Sequence, residues 1–209
     1  MSDYTQLQDV FTRIYDGHGF GGRESVSGSG SDLENTVVLR EELPKLLHEL
    51  NVQSMIDAPC GDYHWMKELQ LNLRSYLGVD IVRPLISANI LNYAKHVNNS
   101  VVSFRVADIT QHELPQADLI LCRDCLVHLT FEQGRAALQN FKRTGSKWLL
   151  TTTFPDRDTN TEINPGDWRT VNLERWPYFL PKPERLINEG CMEGGGCYQD
   201  KALGLWRLN

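Results

Sequence analysis

Three aspartates, Asp57, Asp80 and Asp108, each follow a short apolar run. An acid directly after a buried strand lies at the carboxyl edge of an open α/β sheet, which is where such sheets bind nucleotides. Asp80 comes nineteen residues after Gly61, close to the spacing of about 20 at which a Rossmann-like unit places an acid on a ribose diol. Any one of these aspartates alone would be explained by a loop acid or a helix N-cap. The three in this order favour a ligand that contains a nucleoside.

The turn after the first apolar run indicates which kind of ligand this is. Residues Asp57–Asp62 read Asp-Ala-Pro-Cys-Gly-Asp, with one glycine instead of the G-x-G-x-x-G that cradles a dinucleotide pyrophosphate. Gly61 would let a ligand lie against the backbone, and a helix predicted to begin at Tyr63 would present its amides to it. Two carboxylates would repel a pyrophosphate but suit an ammonium and a sulfonium group. The missing glycines disfavour a nicotinamide oxidoreductase.

With these residues, the stretch Leu33 to Phe154 resembles the class I S-adenosylmethionine-dependent methyltransferases, whose first motif is an apolar strand, an acid and a short Gly/Cys turn. Ala58 and Pro59 depart from that motif, because a glycine is often found there. The resemblance implies S-adenosylmethionine as the cofactor, with Asp108 at the exocyclic amine of adenine and Ile109 near its ring. The cofactor-binding residues implied in this way are Asp57, Pro59, Cys60, Gly61, Asp80, Ile81, Asp108, Ile109 and Arg123.

The exit of the fourth core strand, Arg123–Leu129, faces the methyl group in that family's fold. His128 is therefore the candidate base that deprotonates an alcohol acceptor, since its ordinary pKa lies near neutrality. Asp124 lies four residues earlier and would share a helical face with His128, so that it could orient the imidazole. A structural histidine packed beneath the next helix explains His128 equally well. Arg123 either contacts an anionic group of a ligand or neutralises Asp124.

The elements that must position these residues alternate as in a doubly wound α/β sheet. The predicted core strands are Ser54–Asp57, Ser75–Val79, Val101–Val106, Ala117–Cys122 and Trp148–Phe154. Helices are predicted from Tyr63, over Arg83–His96 and over Thr130–Lys142. The segments Arg185–Met192 and Ala202–Leu208 are predicted to form a terminal hairpin that completes the sheet. The family resemblance implies a Rossmann-like, seven-stranded, mostly parallel sheet with an antiparallel last strand.

A single methyltransferase domain, residues 1–209, is expected, with an N-terminal part (1–32), a cofactor-binding core (33–154), a substrate-side insert (155–183) and the hairpin (184–209). The N-terminal part begins with an amphipathic helix over Tyr4–Tyr15 and continues as a Gly/Ser-rich stretch, Gly17–Ser31. That stretch is either a flexible linker or a lid over the cleft. The stretches 23–31 and 166–169 resemble a smaller, uncharacterised group within the family, one with this N-terminal lid.

The polar insert carries aromatic and charged side chains at the edge of the sheet where an acceptor must enter. Such a mixture is typical of a pocket for a polyhydroxylated molecule, although a surface loop held in place by its aromatic residues would look the same. The residues predicted to bind the substrate are Asp167, Trp168, Arg169 and Tyr178.

Composition limits the partners and the compartment. A net charge of −6 over 209 residues disfavours a nucleic-acid partner, which normally binds a basic face. Residues Met1–Gln6 carry no signal-peptide pattern, and no apolar run is long enough to span a membrane. Five cysteines, an odd number, indicate reduced thiols in a cytoplasm. The pair Cys122/Cys125 suggests packing rather than a metal site, so none is expected. The sequence does not indicate the oligomeric state.

These observations predict an enzyme that transfers a methyl group from S-adenosylmethionine to an oxygen of a small hydroxylated metabolite or sugar. Two alternatives stay open. The acceptor could be RNA or protein, which would require a basic groove formed by Arg13, Arg23, Arg157 and Arg169. The chain could also be a binding module that keeps the cofactor cleft without turnover.

Overall fold

A computed structural model describes residues 3–97 and 100–208. In that part of the chain eight strands form one sheet in the order β3-β4-β2-β1-β5-β6-β8-β7. Strands β4, β2, β1, β5 and β6 are parallel, whereas β3, β7 and β8 each run antiparallel to the strand they pair with. The strands are β1 Ser54–Asp57, β2 Ser75–Asp80, β3 Lys95–Val97, β4 Ser100–Val106, β5 Leu119–Cys122, β6 Trp148–Thr153, β7 Arg185–Asn188 and β8 Ala202–Arg207.

The central strands are apolar because both faces of the sheet are covered. Every residue of β5 and β6 is buried, which is the pattern of parallel strands with helices on both sides. Successive side chains alternate between two cores: Ile56 and Ile120 belong to one, Met55 and Leu119 to the other. The predicted α/β, doubly wound sheet is therefore confirmed, and the predicted core strands agree with the structure to within two residues at each end.

Among the described residues four long helices flank the sheet, α1 Asp3–Asp16, α2 Val37–Glu49, α3 Arg83–Tyr93 and α4 Phe131–Arg143, and a short helical segment, Glu193–Gly196, follows β7. Helix α4 begins at a capping box, in which Thr130 and Gln133 bond each other's backbone N–H groups. It buries Phe131, Ala137 and Phe141 against the sheet. Helix α1 packs on the first core through Leu7. Within the described residues no helix has the length and apolar character needed to cross a lipid bilayer.

Two predicted helices differ from the structure. No α-helix follows β1: Gly61 and Tyr63 both have left-handed φ angles (53° and 60°), which a right-handed helix cannot continue through. A short 3-10 turn, Met66–Glu68, takes its place. The predicted helix Arg83–His96 ends at Tyr93, where Ala94 becomes extended. The next residues form β3, an eighth strand at the edge of the expected seven, which pairs with β4.

The insert 155–183 contains neither helix nor strand and is held by its own polar side chains. The amide of Asn172 donates to the carbonyls of Pro155 (3.0 Å) and Arg157 (2.7 Å), and the amide of Asn160 donates to the carbonyl of Asn172 (2.9 Å). The insert leads into the antiparallel pair β7 and β8, as predicted. These bonds give a loop of this length a defined path past the carboxyl edge of the sheet.

Candidate active site

A cavity of about 540 Å³ lies at the carboxyl edge of the parallel strands. All three strand-end aspartates, Asp57, Asp80 and Asp108, line it. Its other walls come from the N-terminal segment around Phe20 and from the chain near Tyr198. Three acids that are far apart in the sequence therefore line one cavity in the structure. The remaining predicted cofactor residues, Pro59, Cys60, Gly61, Ile81, Ile109 and Arg123, also line the cavity.

Asp80 ties the tip of β2 to the turn after β1. Its carboxylate accepts hydrogen bonds from the backbone N–H groups of Val82 (2.9 Å) and Gly61 (3.3 Å). Burial raises the pKa of Asp80 to about 6, although these backbone hydrogen bonds oppose the rise. At Gly61 an added Cβ would overlap the hydroxyl of Ser27, so only glycine fits between the turn and the segment that covers it.

Asp57 is a buried carboxyl group in contact with a tyrosine. The hydroxyl of Tyr76 donates to it at 2.6 Å. Burial raises the pKa of Asp57 to about 7, and this hydrogen bond opposes the rise. Within the described chain neither Asp57 nor Asp80 forms an ion pair. Two poorly compensated carboxyl groups beside one cavity favour a positively charged ligand.

Asp108 has local partners that the sequence pattern did not reveal. Its carboxylate accepts from the backbone N–H (2.8 Å) and hydroxyl (2.7 Å) of Thr110 and from the side-chain amide of Gln111 (2.8 Å). These bonds form a tight turn at the end of β4. Asp108 therefore stabilises this turn as well as lining the cavity.

Beside the cavity Arg123 and Asp124 belong to a buried charge network, in which Arg123 contacts Asp124 as one of its two predicted roles requires. The guanidinium of Arg123 pairs with Glu189 (2.7 Å) and contacts Asp124 (3.3 Å). Asp124 in turn binds the buried ammonium of Lys201 at 2.7 Å, which together with Arg123 holds its pKa well below the usual range. The sequence analysis did not identify Glu189 or Lys201. The sole sequence signal for either is that a charged residue stands at the end of a short strand.

His128 lies in the cavity wall, but Asp124 is not what orients it. Residues Leu126–His128 form a 3-10 turn, and Asp124 has a φ of 49°, so the predicted shared helical face does not exist. Instead, Nδ1 of His128 lies 2.9 Å from the backbone carbonyl of Asp167. A carbonyl only accepts, so Nδ1 carries the proton and Nε2 keeps its lone pair. Burial lowers the pKa of His128, which favours the neutral ring.

The insert residues divide into two groups. Trp168 lines the cavity and packs edge-to-face on Tyr198, with ring centroids 4.9 Å apart. Arg169 and Tyr178, predicted to bind substrate, do not line the cavity. Arg169 is buried and donates to the carbonyl of Leu129 (2.7 Å) and the hydroxyl of Tyr178 (3.0 Å). A buried guanidinium requires hydrogen-bond partners. Through these bonds Arg169 and Tyr178 hold the insert against α4.

Asp167 contributes its backbone carbonyl to the site. Its carboxylate points elsewhere and accepts from the side-chain amide of Asn164 (3.2 Å). Three of the four arginines predicted to form a basic groove for an RNA or protein acceptor are paired or buried. Arg23 pairs with Glu34, Arg157 pairs with Asp200, and Arg169 is buried. All five cysteines are free thiols. No cluster of potential metal ligands occurs among the residues that the structure describes.

Comparison with known proteins identifies the domain. Residues 56–147 match the sequence profile of a family described as "Methyltransferase domain". Over these residues the chain is similar to methyltransferase domains, and its sheet has the fold of the class I enzymes. S-adenosylmethionine is the methyl donor of that class and the cofactor that these likenesses support. No curated protein sequence matches the chain.

Solved structures support the same fold. Human N-acetylserotonin methyltransferase in complex with S-adenosylmethionine superposes with a TM-score of 0.63 at 15% identity, over 95% of this chain and 58% of that one. The N-methyltransferase NodS from Bradyrhizobium japonicum superposes with a TM-score of 0.57 at 16% identity, and the match covers 84% of this chain and 97% of that one. The methyltransferase domain of bacterial CtHen1 gives 0.51 at 14% identity, and the match covers 57% of this chain and 66% of that domain's chain. These likenesses concern the fold.

Proposed function

We propose that this protein transfers the methyl group of S-adenosylmethionine to an oxygen of a small hydroxylated metabolite or sugar, with His128 as the general base. The observation that carries the proposal is the hydrogen bond from His128 Nδ1 to the carbonyl of Asp167 (2.9 Å). It leaves Nε2 as a proton acceptor in the wall of the cavity. An alcohol must lose its proton as it attacks, whereas a neutral amine can attack with its own lone pair. A fixed neutral imidazole therefore favours an oxygen acceptor.

The cavity residues fit S-adenosylmethionine. That cofactor supplies an electrophilic methyl group on a sulfonium, and it also carries an ammonium group and a ribose. Asp80, at the tip of β2 beside Gly61, would hold the ribose hydroxyls. Asp57, whose pKa is raised by burial, would compensate positive charge on the cofactor. Asp108 and Ile109 would border the adenine, and Pro59, Cys60 and Ile81 would complete the walls.

The protein's contribution to the reaction would be to position the acceptor, exclude water and accept one proton. Nε2 of His128 would take the acceptor's hydroxyl proton as the oxygen attacks. Asp167 fixes the ring by its carbonyl, so the imidazole needs no rearrangement as it becomes charged. Proton transfer to a positioned base is worth about 10²–10⁴ in rate.

The walls of the cavity support a small acceptor. Phe20 and Trp168 line it from two separate segments, and both would be in the path of a macromolecular chain. The cations at its edge, Arg123 and Lys201, are paired with buried carboxylates. This leaves little to attract a phosphate backbone. The free thiols support a reducing, cytoplasmic compartment.

The test is a screen for methyl transfer with purified protein and isotope-labelled S-adenosylmethionine. Acceptors would be a library of sugars and small alcohols, with total RNA and denatured protein as competing classes. We expect labelled product with a small hydroxylated acceptor. His128→Gln should lower kcat by about 10²–10⁴ while cofactor affinity, measured by calorimetry, is unchanged. Methylation of RNA or protein alone, or full activity of His128→Gln, would refute the proposal. Cofactor binding with no turnover on any class would indicate a non-catalytic module.

A further inference from the structure

Residues 19–31, here called the strap, form a folded segment. Two of its glycines stand where the strap crosses itself: a Cβ on Gly22 would overlap the carbonyl oxygen of Ser25, and one on Gly28 would lie 3.0 Å from Cβ of Phe20. Gly28 also has a φ of 106°, which side chains rarely adopt. These two glycines are explained by close approach within the strap, so the glycine content of the strap does not by itself make it a flexible linker.

The middle of the strap is attached to the cofactor turn through Asp62, the residue after Gly61. The carboxylate of Asp62 accepts from the hydroxyl of Ser25 (2.9 Å) and the backbone N–H of Val26 (3.0 Å). In return, the backbone N–H of Asp62 donates to the hydroxyl of Ser27 (2.9 Å). Ser27 thereby packs against Gly61, so the backbone turn expected to contact the cofactor is also the surface that holds the strap.

The end of the strap is attached on the other side of the cavity. The hydroxyl of Ser29 donates to Glu193 (2.5 Å), and the guanidinium of Arg123 donates to the carbonyl of Gly30 (2.8 Å). Glu193 belongs to the chain after β7, and Arg123 follows β5. The strap therefore spans the cavity from the cofactor turn to the buried charge network.

The beginning of the strap covers the base. The ring of Phe20 lies 4.7 Å from the imidazole of His128, centroid to centroid. The other groups that act on this imidazole are the carbonyl of Asp167 and the charges of Asp124, Lys201 and Arg169. Phe20 packs against the ring of His128, and Gly28 packs directly on Phe20.

A continuous path of contacts thus runs from Asp62 through Ser25–Gly28 and Phe20 to His128. We propose that Asp62 and Phe20 are positioning residues and that the strap couples cofactor binding at the Gly61 turn to the positioning and water exclusion of His128. The coupling rests on the proposed role of His128. When the strap is attached, His128 is shielded and oriented; when it is released, the cofactor turn and the imidazole both become open to water.

The test uses NMR titration of His128 and calorimetry with S-adenosylhomocysteine, neither of which requires an acceptor. Phe20→Leu should raise the pKa of His128 toward its ordinary value of 6.5, because the ring becomes hydrated. Asp62→Asn should weaken cofactor binding about tenfold, since it removes a charged hydrogen-bond acceptor. Although Asp62 forms no contact with His128, Asp62→Asn should also move the His128 titration in the same direction as Phe20→Leu. His128→Gln assigns the resonance.

The matched controls are Asp158→Asn and Phe179→Leu, both at exposed positions outside the cavity, which should change neither reading. If Asp62→Asn does not fold, Ser27→Ala removes the hydroxyl that bonds to the backbone N–H and the carboxylate of Asp62 and should give smaller shifts of the same sign. An Asp62→Asn protein with an unchanged His128 titration would overturn the coupling. Absence of turnover on every acceptor would refute the proposed function. The His128 titration and the affinity for S-adenosylhomocysteine would still decide the role of the strap.

Discussion

Replacing Asp57 by asparagine should stabilise the ligand-free protein at neutral pH while weakening its cofactor binding. Asp57 is buried at the end of β1, and its pKa is raised from 3.8 to about 7 chiefly by burial. Asparagine has nearly the same shape and keeps an oxygen that can accept the hydrogen bond from Tyr76. The substitution therefore removes the charge with little change in packing.

The size and sign of the effect follow from proton linkage. Between pH 3.8 and about 7 the folded protein holds a proton that the unfolded chain has lost. The free energy of unfolding therefore falls as pH rises through this window. Since each pKa unit corresponds to about 1.36 kcal/mol, the loss by pH 8 is at most about 4 kcal/mol. Asp57→Asn should recover this amount at pH 8 and should differ little from the wild type below pH 4.

The assay is urea unfolding of ligand-free protein at pH 5, 6, 7 and 8, with wild type, Asp57→Asn and Tyr76→Phe compared. Tyr76→Phe removes the one hydrogen bond that lowers the pKa of Asp57, so it should have the opposite effect and destabilise the protein most at pH 8. In calorimetry, Asp57→Asn should bind S-adenosylmethionine about tenfold more weakly, because a charge partner is lost. This account of Asp57 would be refuted if the free energy of unfolding of Asp57→Asn fell with pH as steeply as that of the wild type, or if the variant were less stable than the wild type at pH 8.

Lys201→Met should destabilise the fold by about 3–5 kcal/mol in urea unfolding, because Asp124 and Glu189 would keep buried charges without their ammonium partner. The exposed control Lys45→Met should have a much smaller effect, because its ion pair lies in solvent, and equal losses in the two variants would contradict the buried network. Thr130→Ala removes the capping box of α4 and should lower the free energy of unfolding by about 1 kcal/mol. No change in that measurement would mean that the cap is replaced by water.

Much of the fold was predictable because the chain's apolar runs are local signals. A buried parallel strand is a short apolar run with an acid or turn at its end, and five such runs gave strands within two residues of the structure. The predicted helix after β1 was wrong because Tyr63 takes a left-handed φ. Apolar spacing in Tyr63–Leu69 is compatible with a helix, and the spacing carries no information about that one dihedral angle.

The candidate site was predictable in part, for the same reason. The positions of Asp57, Asp80 and Gly61 depend on strand ends, so the sequence identified them before their geometry was known. Partners distant in the chain were not identifiable: Lys201 lies 77 residues from Asp124, and the Asp167 carbonyl that holds His128 belongs to the main chain. Residue type does not indicate which distant residue a side chain pairs with, and it does not indicate where a backbone carbonyl points.

The sequence by itself determined the class of the sheet, the positions of its core strands along the chain and the acids at their ends, because hydrophobic periodicity and turn chemistry act between near neighbours. The tertiary structure decided which polar groups are occupied by other protein groups. It assigned Arg169 and Tyr178 to the support of the insert, Asp124 to Lys201, and the glycine-rich strap to a cover over Gly61 and His128. These outcomes depend on burial, where a charge or a donor must find a partner, and the available partner is set by how the whole chain packs.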